Sequence, residues 1–168
     1  MDQGEVLVDG FDRIQEVVHS TLDELPVDAL TYRIDDDANT IAWLVWHLTR
    51  VQDDHVAGVA DTEQVWTANG WNRRFDLPFP DGSIGYGQNS DDVSEVRSDA
   101  ELLRGYHDAV HDRTVEYVRG LSAGDLDRVV DENWDPPVTL GVRLVSVISD
   151  DLQHIGQAAF VRGCFERR

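Results

Sequence analysis

Near the carboxyl end of the chain, an aspartate and a histidine are four residues apart in an otherwise apolar segment. Asp150 and His154 would lie on the same face of a helix, one turn apart, because positions i and i+4 of an α-helix are neighbours. A carboxylate and an imidazole in that arrangement can ligate the same divalent metal ion. Two ligands from one helix need a partner from elsewhere in the chain, and His47 is the best candidate.

His47 has Leu44 three residues before it and Val51 four residues after it, a spacing that predicts an inward-facing position. With Asp150 and His154 it would form a set of two imidazoles and one carboxylate, which leaves coordination positions open for water or substrate. Such a set suits Zn(II), Ni(II), Fe(II) or Mn(II), and the ligand types do not choose among them. The alternative is a core histidine that is hydrogen-bonded to a carboxylate and binds no metal.

Two consecutive aspartates, Asp150 and Asp151, directly follow the apolar segment 138–148, which we expect to be buried on nearly all sides. A buried carboxylate needs a positive partner, because taking its charge out of water is unfavourable. A divalent cation would be such a partner, and so would an arginine such as Arg50 or Arg143. The alternative is that one of the two aspartates forms a structural salt bridge and the other lies on the surface.

A second histidine pair, His107 and His111, also has helical spacing, but charged residues surround it in the sequence. We therefore expect a solvent-exposed pair. His55 follows two aspartates, and we expect it either to support the metal ligands or to be exposed. His19 is expected on the surface. Cys164, with no histidine within three residues, is expected to be a packed thiol and not a nucleophile.

Apolar residues recur every three or four positions in four segments, which predicts four long helices. The second helix is capped by Asn39 or Thr40, and the third begins at a capping box of residues 98–101. Pro26 marks the end of the first. The four helices are predicted at about residues 6–25, 40–58, 98–120 and 139–164.

Residues 59–92 interrupt this periodicity with glycine and proline, between which aromatic residues are placed. We expect a long, partly ordered crossover with a short helix near residues 63–66, and a loop at the glycine-rich residues 82–87. A helical turn is expected at 123–126 and a tight turn at 134–137. With no convincing strand pattern, the prediction is an all-α four-helix bundle in a single domain, residues 1–168. The long crossover would make the second and third helices parallel.

The composition excludes several classes of function. A formal net charge of −19 disfavours nucleic acid and anionic membranes as partners, because like charges repel. All 14 basic residues are arginine, so Schiff-base chemistry on a lysine is excluded, and the single cysteine excludes an internal disulfide. No apolar run reaches the roughly 18 residues of a membrane-spanning helix, and the acidic N-terminus does not look like a signal peptide, so we expect a cytoplasmic protein.

Two segments together resemble the DinB/YfiT-like superfamily. Residues 43–51, which contain His47, resemble the family's first metal-histidine helix, and residues 150–157 resemble its last-helix signature, a histidine closely followed by Gly-Gln. The resemblance extends over nearly the whole chain. Trp66, Trp71 and the segment 134–137 further resemble an actinobacterial branch of mycothiol-transferase-like proteins.

The resemblance implies a four-helix bundle in up-down-down-up order, often dimeric, with a divalent metal held by three histidines. His47 matches the first of these ligands and His154 the last, whereas Asp150 stands in place of the middle histidine. The resemblance also implies a thiol S-transferase that uses mycothiol or a similar low-molecular-weight thiol. A non-catalytic protein that binds a metal or a small ligand in a stress response is the alternative. The aromatic crossover, together with Arg50 or Arg143, could line the substrate pocket.

Overall fold

Four long helices, joined by short helices and one small hairpin, make up the computed structural model, which describes residues 2–168. Along the chain, the elements are α1 (Gln3–Leu22), α2 (Val27–Leu30), α3 (Ile41–Ala60), α4 (Val65–Ala68), α5 (Trp71–Phe75), α6 (Ser90–Glu95), α7 (Ala100–Arg119), α8 (Ala123–Leu126), β1 (Val129–Asp131), β2 (Val138–Thr139) and α9 (Leu140–Glu166). The predicted all-α class and the four long helices are therefore confirmed. The up-down-down-up order of helix directions and the single domain stay predictions.

Polar side chains mark where three of the long helices begin. Thr40 caps α3 by accepting a hydrogen bond from the backbone N–H of Trp43, and Thr139 caps α9 in the same way. The capping box predicted at residues 98–101 is wrong. Asp99 is the N-cap, and its carboxylate accepts from the N–H of Leu102 at 2.7 Å. Helix α7 thus begins one residue later than the sequence pattern indicated.

The core is one cluster of apolar side chains from the long helices and from the crossover between α3 and α7. The crossover contains three short helices, α4 to α6, where the sequence predicted one. Its aromatic residues pack against a tyrosine of α7, since the rings of Trp66, Trp71 and Phe75 lie 5.1–5.8 Å from the ring of Tyr106. Burial of this aromatic surface holds the crossover against the bundle.

Two features of the region before and within α9 differ from the predictions. Strands β1 and β2 pair antiparallel on either side of the predicted turn at 134–137, and they are too short to give an alternating pattern in the sequence. The first half of α9 is also not buried on all sides. Val142 and Val145 are 57% and 60% exposed, whereas Leu144 and Val147 face the core. Within residues 2–168, no helix is long and apolar enough to cross a membrane.

Candidate metal centre

Helices α3 and α9 bring the three predicted ligands together. His47 lies on α3, while Asp150 and His154 lie one turn apart on α9. Each side chain offers one ligand atom, and these three atoms all lie within 4.8 Å of one another. Nε2 of His154 is 3.7 Å from Oδ1 of Asp150, and the rings of the two histidines are 4.8 Å apart. The atoms are therefore close enough to share one cation after small rotations of the side chains.

The crossover orients the ring of His47. Its Nδ1 donates a hydrogen bond to the backbone carbonyl of Ile84, so the lone pair on Nε2 remains available to a ligand. The indole of Trp43 stacks on a face of the His47 ring, with centroids 4.5 Å apart and planes inclined by 17°. The backbone approaches closely because the next residue is Gly85, at a φ of +104°, where any Cβ would collide with the imidazole.

His154 is oriented by its own helix. Its Nδ1 lies 3.0 Å from Oε1 of Gln157, an amide oxygen that can only accept, so Nδ1 carries the proton and Nε2 turns towards Asp150. Both imidazoles thus have Nδ1 bonded to an oxygen, which leaves the lone pair of Nε2 free. Metal-ligating histidines characteristically have such a partner, because it selects the tautomer and fixes the ring. This gives a physical role to Gln157 of the Gly-Gln sequence.

The electrostatics of the cluster suit a cation. Burial lowers the pKa of His47, and the nearby His154 adds to this effect against the opposing influence of Ile84 and Asp150, so the imidazole is neutral at pH 7. Oδ2 of Asp150 is buried and has no hydrogen-bond partner among the described residues. A neutral imidazole and an unsatisfied carboxylate oxygen are both prepared to bind a metal.

The positive partner expected for the two aspartates is not an arginine. Arg50 approaches Asp53, and Arg143 forms a salt bridge with Asp131 at 3.0 Å. Asp151 is fully buried without a hydrogen-bond partner in residues 2–168, and burial, aided by the charge of Asp150, raises its pKa well above the ordinary value. Neither of the two arginines considered from the sequence is therefore the partner of Asp150.

Arg50 does not line a pocket, contrary to one expectation, because it is completely buried and binds the crossover. Its Nε donates to the carbonyl of Ser83 at 3.2 Å, and its Nη2 donates to the carbonyl of Asp81 at 3.0 Å. These two carbonyls lie one residue and three residues before the carbonyl of Ile84 that holds His47. Arg50 therefore fixes the segment that orients the imidazole.

Asp53, one turn after Arg50, holds the start of the crossover. Its carboxylate accepts from the backbone N–H groups of Val65 and Trp66 and from the hydroxyl of Tyr106, each at 2.8 Å. The sequence alone did not predict this role for either residue. The available signal was a row of polar residues at helical spacing on α3, a helix that is otherwise apolar.

A groove opens beside Asp150, between α3 and α9. It has a volume of about 240 Å³ and is lined by Val51, His55, Tyr86, Arg143, Ser146, Val147 and Asp150. Arg143 lines this groove, as expected from the sequence. A substrate in the groove would thus be next to one of the three candidate ligands.

The second histidine pair is not solvent-exposed, so that prediction is wrong. His107 is fully buried and His111 is 6% exposed, because both face α1 inside the bundle. Asp12 of α1 lies 3.0 Å from His111. One of the charged neighbours that suggested exposure, Asp108, itself lies against α1, where its carboxylate is 2.6 Å from His19. The pair does not form part of a three-ligand cluster within residues 2–168.

The remaining candidates lie outside the three-residue cluster. His19 is 43% exposed at its side chain, and His55 is mostly buried with Nδ1 at 3.3 Å from the carboxylate of Asp54. Cys164 is half-buried, with only a long contact to Arg167. The glycine-rich residues 82–87 form a loop, as predicted, and this loop carries the carbonyl groups of Ser83 and Ile84 that bind α3.

Comparison with known proteins identifies the class to which this fold and site belong. Residues 11–158 match the model of the DinB superfamily, so the chain is a member of that superfamily. It is also similar to the crystal structure of a conserved protein from Enterococcus faecalis, with a TM-score of 0.90, 29% identity and 96% of each chain covered. No curated protein matches the chain.

Proposed function

We propose that this protein is a divalent-metal-dependent enzyme that transfers a low-molecular-weight thiol, such as mycothiol, to an electrophile for detoxification. The observation that carries the proposal is the convergence of His47, Asp150 and His154 beside a groove. Two imidazoles and one carboxylate leave room for an exogenous ligand, which is typical of catalytic and not structural metal sites. Superfamily membership supports a metal-dependent role.

The residues present fit a divalent ion of zinc, nickel, iron or manganese. His47, Asp150 and His154 would hold it, with Ile84 and Gln157 fixing the two rings and the unsatisfied oxygen of Asp150 contributing negative charge. When bound, the ion supplies positive charge that lowers the pKa of a thiol and makes it a nucleophile at neutral pH.

The sulfur would belong to the co-substrate. Cys164 is the chain's one cysteine, and it lies ten residues beyond His154 on α9, about 15 Å along the helix axis. The groove walls would align the thiol and the electrophile, so that the S–C bond forms as the thiol proton and the leaving group depart. Tyr86, Ser146 and the basic residues of the groove are available to bind the polar parts of either molecule.

A metal- or ligand-binding protein without catalysis is the second candidate. Asp150 favours it, because an aspartate stands where the family resemblance implies a histidine, and a changed ligand set alters the affinity and the reactivity of a metal. The two candidates differ in one measurable property. An enzyme consumes thiol in the presence of an electrophile, whereas a binding protein only retains its ligand.

The test combines elemental analysis of the purified protein with a thiol-consumption assay using 1-chloro-2,4-dinitrobenzene. His47→Ala and His154→Ala should each abolish metal uptake and thiol consumption. His19→Ala is the matched control, because it removes a histidine bound to Asp108 on the surface of the bundle. Absence of metal at micromolar concentrations of each divalent ion would refute both the enzyme and the metal-binding protein.

Assembly and location extend the proposal. We expect a cytoplasmic homodimer, as the resemblance implies, of an actinobacterial type. Exposed apolar side chains on α9, among them Val142, Val145, Leu152 and Phe160, support pairing with a second copy.

A further inference from the structure

The groove beside the candidate metal centre continues away from it along α3 and α9. Helices α3 and α9 run antiparallel along this groove. His47 lies beside His154 at the metal centre, and His55 and Arg143 line the groove further along. A second depression of about 430 Å³ shares His55 and Arg143 with this groove and also includes Arg128 and Val129. We call the two adjoining depressions together, from Asp150 to Arg128, the α3–α9 groove.

The far end of this groove is basic, although the chain has a net charge of −19. Arg128, Arg143 and His55 line it together. Nη2 of Arg128 donates to the carbonyl of Val59 and the hydroxyl of Tyr117, and Arg128 forms no salt bridge with a carboxylate anywhere in residues 2–168. Arg128 acts on Asp125 only through space, so its remaining donors are open to a ligand.

The guanidinium group of Arg143 also has only some of its hydrogen-bond donors occupied. Its Nη2 donates to Asp131 at 3.0 Å, and its side chain is 23% exposed towards the groove. The one acidic residue that lines the depression is Asp54, whose carboxylate already accepts from the amide of Gln64 and lies next to His55. Two guanidinium groups thus line one depression, and such groups offer donors in a fork that matches a carboxylate.

The length of the groove restricts which ligands can contact both of its ends. His47 and His55 are eight residues apart on α3, which corresponds to about 12 Å along the helix axis. A ligand with its sulfur at the metal ligands and its carboxylate at Arg143 and Arg128 must therefore be elongated. A peptide-like thiol of about three residues has this length.

We propose that the α3–α9 groove binds an elongated acidic thiol, with its carboxylate held by Arg128 and Arg143. This inference rests on the proposed function and deepens it, because it selects an anionic thiol over a neutral one such as mycothiol. The arginines bind and orient the co-substrate and do not take part in the chemical step.

The experiment measures binding to the full-length protein supplemented with Zn²⁺, by isothermal titration. The probes are glutathione, which is an acidic tripeptide thiol, and its diethyl ester, which lacks both carboxylates. Glutathione should bind about tenfold more tightly than the ester, and Arg128→Gln or Arg143→Gln should each remove most of that difference. Arg97→Gln, which removes the same charge from an exposed position, should leave it unchanged.

Equal affinity for glutathione and its ester, or an equal effect of Arg97→Gln, would overturn the acidic-thiol site. S-Methylglutathione separates this outcome from failure of the proposed function, because it retains both carboxylates but has no thiol. If the protein binds no metal but the binding of S-methylglutathione still depends on Arg128 and Arg143, the carboxylate site stands and the proposed metal-dependent enzyme is refuted. If metal and thiol consumption are present but the arginine variants match the wild type with every probe, the carboxylate site alone is refuted.

Discussion

Replacing Gly85 by alanine tests whether the crossover positions His47. At a φ of +104°, an alanine is strained by about 1–2 kcal/mol, and its Cβ would collide with the imidazole. The collision must break the hydrogen bond between His47 and Ile84, and loss of a buried bond costs about 1–3 kcal/mol. Gly85→Ala should therefore lower the free energy of unfolding by about 2–5 kcal/mol. Zn²⁺ affinity should fall about 10–100-fold, because the ring loses the partner that orients it.

Gly87→Ala is the matched control in the same loop. Gly87 also has a positive φ, +75°, but a Cβ there would meet no atom within 4 Å. Gly87→Ala should lower the free energy of unfolding only by the backbone strain, about 1–2 kcal/mol, and should keep the Zn²⁺ affinity of the wild type. Urea denaturation measures the stability, and competition with a chromophoric chelator measures the affinity. Equal losses for the two variants in both assays would refute the idea that the loop orients His47.

Three further predictions concern the interior and the surface. Burial lowers the pKa of His107 to about 3, so below pH 6.5 the unfolded chain takes up a proton that the folded chain does not, and stability should fall by about 2 kcal/mol at pH 5. Urea unfolding at pH 7 and pH 5 should show a smaller pH dependence for His107→Phe, and identical dependences would contradict this account. Arg50→Met should destabilise the fold by about 3–5 kcal/mol in the same assay, because it leaves the buried Asp53 without its cation, and a loss below about 1 kcal/mol would show that the network contributes little. Phe160→Asp should shift the protein to a monomer in sedimentation equilibrium, and an unchanged mass would exclude this face of α9 from the dimer.

The candidate ligands could be found from the sequence because helical spacing is local. Asp150 and His154 share a face of α9 by virtue of their separation of four residues, and the apolar neighbours of His47 indicate its inward direction. The same reasoning failed for His107 and His111. Their charged neighbours suggested solvent exposure, but both imidazoles are buried, and one of those neighbours, Asp108, itself binds His19 of α1.

The orientation of the ligands could not be found in this way. Arg50 and Asp53 bind crossover residues that are 12 to 33 positions away in the chain, and Ile84 is 37 positions from His47. No periodicity in the sequence predicts which carbonyl of a loop meets which side chain of a helix. The basic end of the α3–α9 groove was equally hidden, because Arg128 and Arg143 are brought beside His55 only when α8, the hairpin and α9 fold back on α3.

The sequence by itself determined the four long helices, the all-α class and the three residues with metal-ligand chemistry, because each depends on side-chain type and spacing within one helix. Only the tertiary structure decided which nitrogen of each histidine faces the cluster, which arginine is buried as a support and which lines the groove. Those properties depend on contacts between segments far apart in the chain, and such contacts exist only after the crossover has packed onto α3.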